Sequence, residues 1–171
     1  MMSISNFSGA VEAVTDTSPV FMRFAGLPLV EDLTPQERRL LFSCLTTMTF
    51  EQGRVIYEAR KASRRQMHLI LDGCATVASP NNHIYATLDT GDVFGLFSFL
   101  DESRLHSATV VAASDLTVLV LNREYFDLVT IEDQPLGQLL LRLMFRLLSR
   151  MALKLEVEYA AMHEFALSGR C

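Results

Sequence analysis

The side chains best suited to hold a metal ion or a redox group in this sequence are its cysteines and histidines. They are Cys44, Cys74 and Cys171, together with His68, His83, His106 and His163. No Cys-x-x-Cys pair occurs and the histidines lack the regular spacing of ligands, so the sequence indicates neither a zinc site nor an iron–sulfur cluster. We expect free thiols, with Cys44 and Cys74 in the core, and no bound metal.

Motifs that carry catalysis are missing from the sequence. It contains no Gly-x-Ser-x-Gly nucleophile elbow, no Walker-type phosphate loop and no pair of carboxylates in a predicted cleft. The acidic residues are scattered over predicted turns and helix ends, where contact with water explains them. We therefore expect that the chain is not an enzyme.

Length and composition are those of one globular domain. The chain has 171 residues, half of them apolar and a fifth charged, which is enough apolar surface to bury a core. Its net charge is −5, so no basic surface is available to neutralise many phosphates. The composition therefore disfavours binding to nucleic acid.

The two ends of the chain bear on its location. Residues 1–19 lack the basic and apolar regions of a secretion signal, and their Ser, Thr, Gly and acidic content is typical of a flexible tail. The longest apolar stretch, residues 136–148, is interrupted by Arg142 and Arg146, so it does not have the composition of a membrane span. We expect a cytoplasmic protein that does not associate with membranes.

Hydrophobic periodicity predicts helices followed by many short strands. A short apolar helical turn is expected within residues 20–29, and a capped helix is expected to begin at Thr34-Pro35, with Glu37 in the position of a capping-box carboxylate. From Met48 onward the apolar period changes to two. The candidate strands are Met48–Gln52, Arg54–Glu58, Gln66–Leu71, Cys74–Ser79, His83–Leu88, Thr109–Ala113 and Leu116–Leu121. Short strands at near-regular spacing predict a β-sandwich or roll rather than a parallel sheet.

A long helix is predicted at the C-terminal end. Asp133 and Pro135 open it, and it runs to about Phe165, roughly 45 Å at 1.5 Å per residue. Its first half is apolar around most of its circumference, which requires burial on more than one side. We interpret this as a seam at heptad spacing with a second copy of the chain; the alternative is burial within the chain against the N-terminal helices. The predicted seam residues are Leu140, Met144, Leu147 and Met151.

Basic residues recur at every fourth position along the first half of this helix. They are Arg142, Arg146, Arg150 and Lys154. Since residues four apart lie on the same helical face, they form one narrow stripe. We interpret the stripe as a solvated edge rather than a phosphate-binding site.

Several short motifs, in a fixed order between residues 20 and 165, together resemble one known family. They are Gly53 before Val55-Ile56-Tyr57, then Leu69-Ile70-Leu71-Asp72-Gly73, Gly91-Asp92-Val93-Phe94-Gly95, Ser107-Ala108-Thr109-Val110 and Leu119-Val120-Leu121-Asn122-Arg123-Glu124-Tyr125-Phe126. On these motifs the chain resembles the cyclic-nucleotide-binding domain family. The third and fourth are similar to the family's phosphate-binding cassette, in which a Gly-Asp-x-Phe-Gly turn opens a short helix.

The resemblance implies an α+β fold. It would be an antiparallel β-roll (a double-stranded jelly-roll barrel) flanked by N-terminal helices and a long C-terminal helix. We expect a flexible tail at 1–19, the roll with its flanking helices at 20–132 and a dimerisation helix at 133–171. The family includes bacterial transcription factors, such as the cAMP receptor protein, in which a DNA-binding helix-turn-helix follows the long helix. This sequence stops at Cys171, so no transcription-factor role is expected for it in isolation.

The resemblance also implies where a ligand would bind and which groups would hold it. In the family, the cyclic phosphate lies against backbone N–H groups of the cassette helix and pairs with an Arg, while a Glu accepts from the ribose 2′-hydroxyl. Here Leu96 stands in place of that Glu, and His106 in place of that Arg. The candidate ligand-binding residues are Gly95, Leu96, Phe97, Ser98, Arg104, His106 and Ser107.

These two replacements weaken the expected affinity for a cyclic nucleotide. His106 has an ordinary pKa near 6.5 and is mostly uncharged at neutral pH. Losing one side of a buried charge pair costs about 2–5 kcal/mol, and leaving a buried hydroxyl without its acceptor costs roughly 1–3 kcal/mol more. Each 1.4 kcal/mol is about tenfold in affinity, so usual binding is not expected. Arg104 would reach the same face as His106 if the strand began that early.

Three functions are therefore open at this point. The first is a stand-alone regulatory or sensor domain, homodimeric through its long helix, with a degenerate cassette, no cofactor and another protein as effector. The second is a functional receptor for cAMP or cGMP that uses Arg104 or His106 as its cation. The third is a sensor that holds haem through a histidine, as some relatives of the family do.

Overall fold

The computed structural model describes residues 18–101 and 103–168, with side chains up to residue 165. The helices are α1 (Pro19–Ala25), α2 (Pro35–Ser43), α3 (Leu96–Leu100), α4 (Arg123–Glu132) and α5 (Gln134–Ser168), with a 3₁₀ turn at Pro28–Val30. The strands are β1 (Thr46–Phe50), β2 (Val55–Tyr57), β3 (Gln66–Asp72), β4 (Ala75–Ala78), β5 (Ile84–Leu88), β6 (Val93–Phe94), β7 (Thr109–Ala112) and β8 (Leu116–Asn122). Most of the tail predicted at 1–19 lies outside the described residues.

The strands form two antiparallel sheets of four strands each. One sheet has the order β1-β8-β3-β6, and the other has the order β2-β7-β4-β5. The longest pairing joins β3 to β8, from Gln66 opposite Asn122 to Ile70 opposite Val118. This arrangement confirms the predicted α+β fold, an antiparallel β-roll with helices before it and a long helix after it.

Strands β3 and β8 separate two apolar cores. Leu69 on β3 and Leu121 on β8 point toward the helices, where the larger core lies. Ile70 and Val118 point the other way, into a second core between the two sheets. Because side chains alternate along a strand, one sheet is buried on both faces. This explains why Leu69-Ile70-Leu71 is a continuous apolar run rather than an alternation.

The start of α2 is fixed by the predicted capping box. The Thr34 hydroxyl accepts from the Glu37 backbone N–H at 3.2 Å, and the Glu37 carboxylate accepts from the Thr34 backbone N–H at 3.0 Å. Pro35 occupies the first turn, where its missing N–H costs nothing. The Arg142 guanidinium lies 2.6 Å from the same carboxylate, so the cap also joins α2 to α5.

The basic stripe of α5 binds the N-terminal segment. Arg146 donates to the carbonyl oxygen of Leu29 at 3.0 Å and lies 3.2 Å from the Asp32 carboxylate. Arg150 donates to the carbonyl oxygen of Pro28 at 2.9 Å. Arg150 is nevertheless exposed, as the interpretation of a solvated edge predicts, whereas Arg146 is only partly exposed. The 3₁₀ turn leaves main-chain carbonyls without helical partners, and the guanidinium groups satisfy them.

The predicted dimer seam is corrected by the packing of α5. Leu140, Met144 and Leu147 are buried in the core that the chain forms with its own helices, and Met151 packs at its edge. These residues follow the alternative of burial within the chain. The error has a physical reason: α5 is apolar on two faces, and heptad spacing alone does not show which face meets the domain.

A second apolar stripe of α5, one residue further along, is exposed. We call it the outer seam; it consists of Leu141, Phe145, Leu148, Leu155, Tyr159 and Met162, with Ala152 in its middle.

None of the helices in the described part of the chain combines the length and the unbroken apolar character that a bilayer crossing requires. The expected cytoplasmic location stays a prediction.

Helices α4 and α5 meet at an unusually close contact. A Cβ atom added to Gly137 would lie 2.8 Å from the Thr130 Cα atom, so only glycine allows this approach. Asp133 is the single residue between the two helices, and its carboxylate accepts from the Leu136 backbone N–H at 3.0 Å. The helix opening predicted at Asp133 is thereby confirmed.

Candidate functional site

The cassette turn is set by two glycines in the left-handed region. Gly91 has φ +92° and Gly95 has φ +79°, where other residues are strained. A Cβ atom on Gly95 would also lie 2.5 Å from the Gln66 carbonyl oxygen and 3.4 Å from the His68 Nδ1 atom. Gly95 is therefore required both for its dihedral angle and for the close approach of β3.

Helix α3 begins directly after Gly95 and is anchored by two apolar side chains. Leu96 and Phe99 are buried in the helix-side core, and the Phe99 ring lies edge-on to the Phe126 ring with centroids 5.5 Å apart. Leu96 thus faces away from the space between the sheets. The Leu96 side chain therefore does not line the space inside the roll. Phe97, the next residue, is half exposed on the outside.

His106 turns inward from the loop that joins α3 to β7. Its ring lies parallel to the Tyr57 ring, with centroids 3.8 Å apart and an angle of 8° between the planes. Its Nδ1 atom lies 3.4 Å from the Ser98 hydroxyl oxygen. The loop backbone is pinned as well, because Arg60 N–H donates to the His106 carbonyl at 2.8 Å and His106 N–H donates to Lys61 at 3.1 Å.

A second stacked pair lies beside the first. The His68 ring on β3 is parallel to the Phe94 ring on β6, with centroids 4.7 Å apart and an angle of 3°. The Tyr57 ring lies 6.1 Å from Phe94 and 6.5 Å from His68. We call Tyr57, His68, Phe94 and His106 the aromatic layer. It fills the side of the roll that lies under the cassette.

Burial makes both imidazoles neutral at ordinary pH. His68 is 5% exposed, and its Nδ1 atom has no hydrogen-bond partner in the described part of the chain. Burial, with the nearness of His106 as a smaller cause, lowers the pKa of His68 to about 4. Burial also lowers the pKa of His106 below its ordinary value. Both shifts favour the uncharged ring, because a charge is costly to desolvate.

Two other predicted site residues lie outside the roll. Arg104 is exposed on the loop before β7, and its guanidinium pairs with the Asp101 carboxylate at 3.1 Å. Strand β7 begins only at Thr109, so the condition under which Arg104 would share the face of His106 does not hold. Ser107 is exposed. The structure therefore brings Gly95, Ser98 and His106 together but leaves out four other candidates. Those four are Leu96, Phe97, Arg104 and Ser107.

Sequence reasoning missed most of the aromatic layer. The sequence predicts strands at Tyr57 and His68 and the cassette turn at Phe94, and of the four residues only His106 is a predicted site residue. The alternation of β2 and β3 puts Tyr57 and His68 on inner faces, which is the one signal that the sequence offered. Within the described residues, no group of three or more His, Cys, Asp or Glu side chains is placed to hold a metal ion. Cys44 is buried as expected, whereas Cys74 is only half buried.

Comparisons with known proteins agree with this architecture. Residues 47–131 match the model of the cyclic nucleotide-binding domain. A cyclic nucleotide-binding domain from Methylobacillus flagellatus KT is 22% identical, with a TM-score of 0.65 over 79% of this chain and 77% of that one. The regulatory subunit of a cAMP-independent protein kinase A from Trypanosoma brucei is 21% identical, with a TM-score of 0.62 over 85% of this chain and 50% of that one.

A bacterial activator shows the same likeness. The Thermus thermophilus catabolite activator protein is 27% identical, with a TM-score of 0.56 over 77% of this chain and 63% of that one. The chain thus spans half the length of the Trypanosoma subunit and less than two thirds of the Thermus protein. No curated protein matches the chain in sequence.

Proposed function

Since residues 47–131 belong to the cyclic nucleotide-binding domain family, we propose that the chain is a regulatory sensor domain whose cassette does not bind cAMP or cGMP in the family's usual manner. Domains of this family are regulatory rather than catalytic, and we propose no enzymatic activity. The observation that carries the proposal is the stack of His106 on Tyr57. The His106 ring is uncharged and already packed against Tyr57, whereas binding a phosphate in the family's manner requires a cation at this position.

The charge of the site argues against an anionic ligand. His106 is the inward-facing residue of its loop, and burial holds its pKa below the ordinary value. At neutral pH it therefore carries almost no charge and forms no bidentate pair with a phosphate. Helix α3 has only five residues, so the attraction of its N-terminus for an anion is small. The missing charge pair corresponds to about 2–5 kcal/mol.

The space inside the roll argues in the same direction. A nucleotide approaching α3 from between the sheets would have to separate Tyr57 from His106 and then expose their buried faces to the ligand. It would gain no carboxylate acceptor from Leu96, whose side chain lies in the other core. The ribose hydroxyl would lose a partner at roughly 1–3 kcal/mol.

The two alternative functions receive less support. A receptor that used Arg104 would need this exposed side chain to leave Asp101 and turn inward past His106. A haem sensor would need an imidazole nitrogen facing open space, whereas both inward-facing imidazoles are stacked face to face on neighbouring rings. The cAMP receptor remains the alternative that the first experiment has to exclude.

Calorimetric titration at neutral pH tests the proposal directly. We expect no heat of binding for cAMP or cGMP with a Kd below about 1 mM, and no rise in Tm at that concentration. Binding in the micromolar range would contradict the proposal. If that binding vanished in Arg104→Ala but not in Arg54→Ala, an exposed arginine outside the site, the receptor that uses Arg104 would be the correct function.

We also propose that the chain is a homodimer through the outer seam of α5. The seam residues follow one another in steps of four and three, which is the spacing of a coiled coil. Phe145 and Tyr159, both more than two thirds exposed, are among its largest members. A second copy would cover these surfaces at once, because the same stripe faces itself across a two-fold axis. A separate protein would then read the state of the dimer.

A further inference from the structure

The loop 103–108 is held to the roll through the side chain of His106. Its ring is clamped between Tyr57 and Ser98, while the neighbouring Leu105 and Ser107 are exposed. Helix α3, in contrast, is anchored separately by Leu96 and Phe99. The loop can therefore detach without unfolding the helix before it. Its attachment at His106 consists of the ring contacts and two backbone hydrogen bonds to residues 60 and 61, and its last residue, Ala108, is buried between the sheets.

We propose that this domain senses protons, with His106 leaving the roll and freeing the loop 103–108 when the buried imidazoles become charged. The inference rests on the proposed function, since it supplies a signal for a cassette that has lost its nucleotide. It follows from the placement of two histidines in one layer of rings, where neither has a counter-charge.

The groups around the two imidazoles offer no compensation for a positive charge. Tyr57 on β2 is neutral, because burial raises its pKa. His68 on β3 and His106 repel each other when charged. Arg60 and Lys61 meet His106 through their backbones. Among the described residues, no carboxylate contributes to the pKa shift of either ring.

The hydrogen bonds around Ser98 show where the proton would go. The Ser98 hydroxyl donates to the Gly95 carbonyl oxygen at 3.2 Å, so it meets His106 as an acceptor. His106 then carries its proton on Nδ1, and the added proton goes to Nε2. The bond to Ser98 survives protonation, and what becomes unfavourable is the charge itself, buried among Tyr57 and His68.

Linkage gives the direction and the size of the effect. In the open form the imidazole is solvated and regains its ordinary pKa near 6.5, which is above the pKa of the closed form. The opening constant therefore rises as the pH falls below about 6.5, and it changes little with pH above that value. The opening constant rises up to about tenfold per pH unit for each histidine that takes up a proton.

Hydrogen exchange without any nucleotide tests the inference. Exchange of the loop 103–108 is measured at about pH 7.5, 6.5 and 5.5 and corrected for the intrinsic rate at each pH. We expect the opening constant of the loop to rise by up to about fivefold between the last two values, also in His68→Phe, a variant in which β3 and β8 should keep their protection. His106→Phe keeps a ring on Tyr57 but cannot titrate, so its loop should not respond. His83→Phe, on an exposed hairpin, should behave like the unchanged protein.

Three results would overturn the inference. The first is an equal pH response in His106→Phe, and the second is a loss of protection in β3 and β8 of His68→Phe that parallels the loop. If His106→Phe fails to fold, histidine NMR of the unchanged protein decides: a His106 that titrates at or above about 6.5, without movement of the loop signals, refutes the proposal. Nucleotide binding at neutral pH would instead refute the proposed function and leave these measurements unaffected.

Discussion

The imidazole of His106 and the phenol ring of Tyr57 lie face to face, with centroids 3.8 Å apart and an angle of 8° between their planes. This contact joins the loop 103–108 to the sheet that contains β2, and it does so between two uncharged rings. Its partner pair, His68 on Phe94, extends the same layer toward β6. A site that binds an anion would need a positive charge beneath the cassette, but this domain has the packed aromatic layer there. We expect the stability of the domain to depend on that packing.

Removing the Tyr57 ring should destabilise the fold. Tyr57→Ala opens a gap beside His106 and Phe94, and we expect a loss of about 2–4 kcal/mol in the free energy of unfolding, measured by urea titration. Tyr85→Ala is the matched control, because Tyr85 is 63% exposed and its loss should cost less than about 1 kcal/mol. Equal effects of the two changes would show that the aromatic layer is not part of the core.

Gly95 is expected to tolerate no side chain. Gly95→Ala adds a left-handed strain of roughly 1–2 kcal/mol and a Cβ atom 2.5 Å from the Gln66 carbonyl oxygen. We expect a total of about 2–4 kcal/mol by thermal or urea unfolding. Gly53→Ala has the same kind of dihedral, φ +82°, but nothing within 4 Å of the added atom. Gly53→Ala should cost only the left-handed strain. The difference in unfolding free energy between the two variants then measures the cost of the close approach of β3.

A charge in the outer seam should separate the proposed dimer. Phe145→Glu places two carboxylates in an apolar contact, so we expect the mass from sedimentation equilibrium to fall from two chains to one. Leu153→Glu is the control; Leu153 is equally exposed on α5 but off the seam, and this variant should remain dimeric. A monomeric unchanged protein would end the proposal outright.

The arginine contacts to the N-terminal segment should contribute measurably to stability. Arg146→Ala leaves the Leu29 carbonyl without its donor and removes the packing of a long side chain, so we expect a loss of about 1–2 kcal/mol. Lys154→Ala, further along the same stripe and exposed, should change stability by less than about 0.5 kcal/mol. If both changes are silent, the contact of Arg146 with the N-terminal segment contributes nothing measurable to stability.

Acid should weaken the whole fold through His68. Its folded pKa of about 4 lies below the ordinary 6.5, so its contribution is complete above pH 6.5 and is lost as the pH falls toward 4. Between about pH 7 and 4.5 this amounts to about 2–3 kcal/mol. The drop should shrink by that amount in His68→Phe and stay unchanged in His83→Phe, an exposed position. Because each variant is compared with itself at the two pH values, a change in its packing cancels from the difference in the free energy of unfolding.

The sequence was most informative where local rules decide the structure. The Thr34-Pro35-Glu37 signal gave the start of α2, and the Asp133 signal gave the opening of α5. The glycines at 91 and 95 marked the cassette turn because a positive φ excludes most other residues. The period-two pattern placed seven of the eight described strands; β6, with two residues, is too short to show a period.

What the sequence did not reveal depends on which elements meet in three dimensions. The two apolar stripes of α5 have the same spacing, and the helices and the 3₁₀ turn that pack against α5 decide which stripe faces inward. The stripe of arginines is largely exposed, as predicted, and its bonds to main-chain carbonyls are visible only in the structure. In the same way, Tyr57 on β2 and His68 on β3 belong to different sheets, and nothing in either strand shows that their rings share one layer.

Helix α5 continues unbroken from its contact with Thr130 to Ser168, 35 residues in all, or about 52 Å. From Ala152 to residue 165 every side chain is exposed, so this half contributes little to the buried core. Buried residues such as Leu140 and Leu147 fix the first half of the helix to the domain, and the exposed part begins just beyond Met151. A bend of about 10° at that point would move residue 168 by about 4 Å, so a molecule bound to the far end would report the direction of the helix.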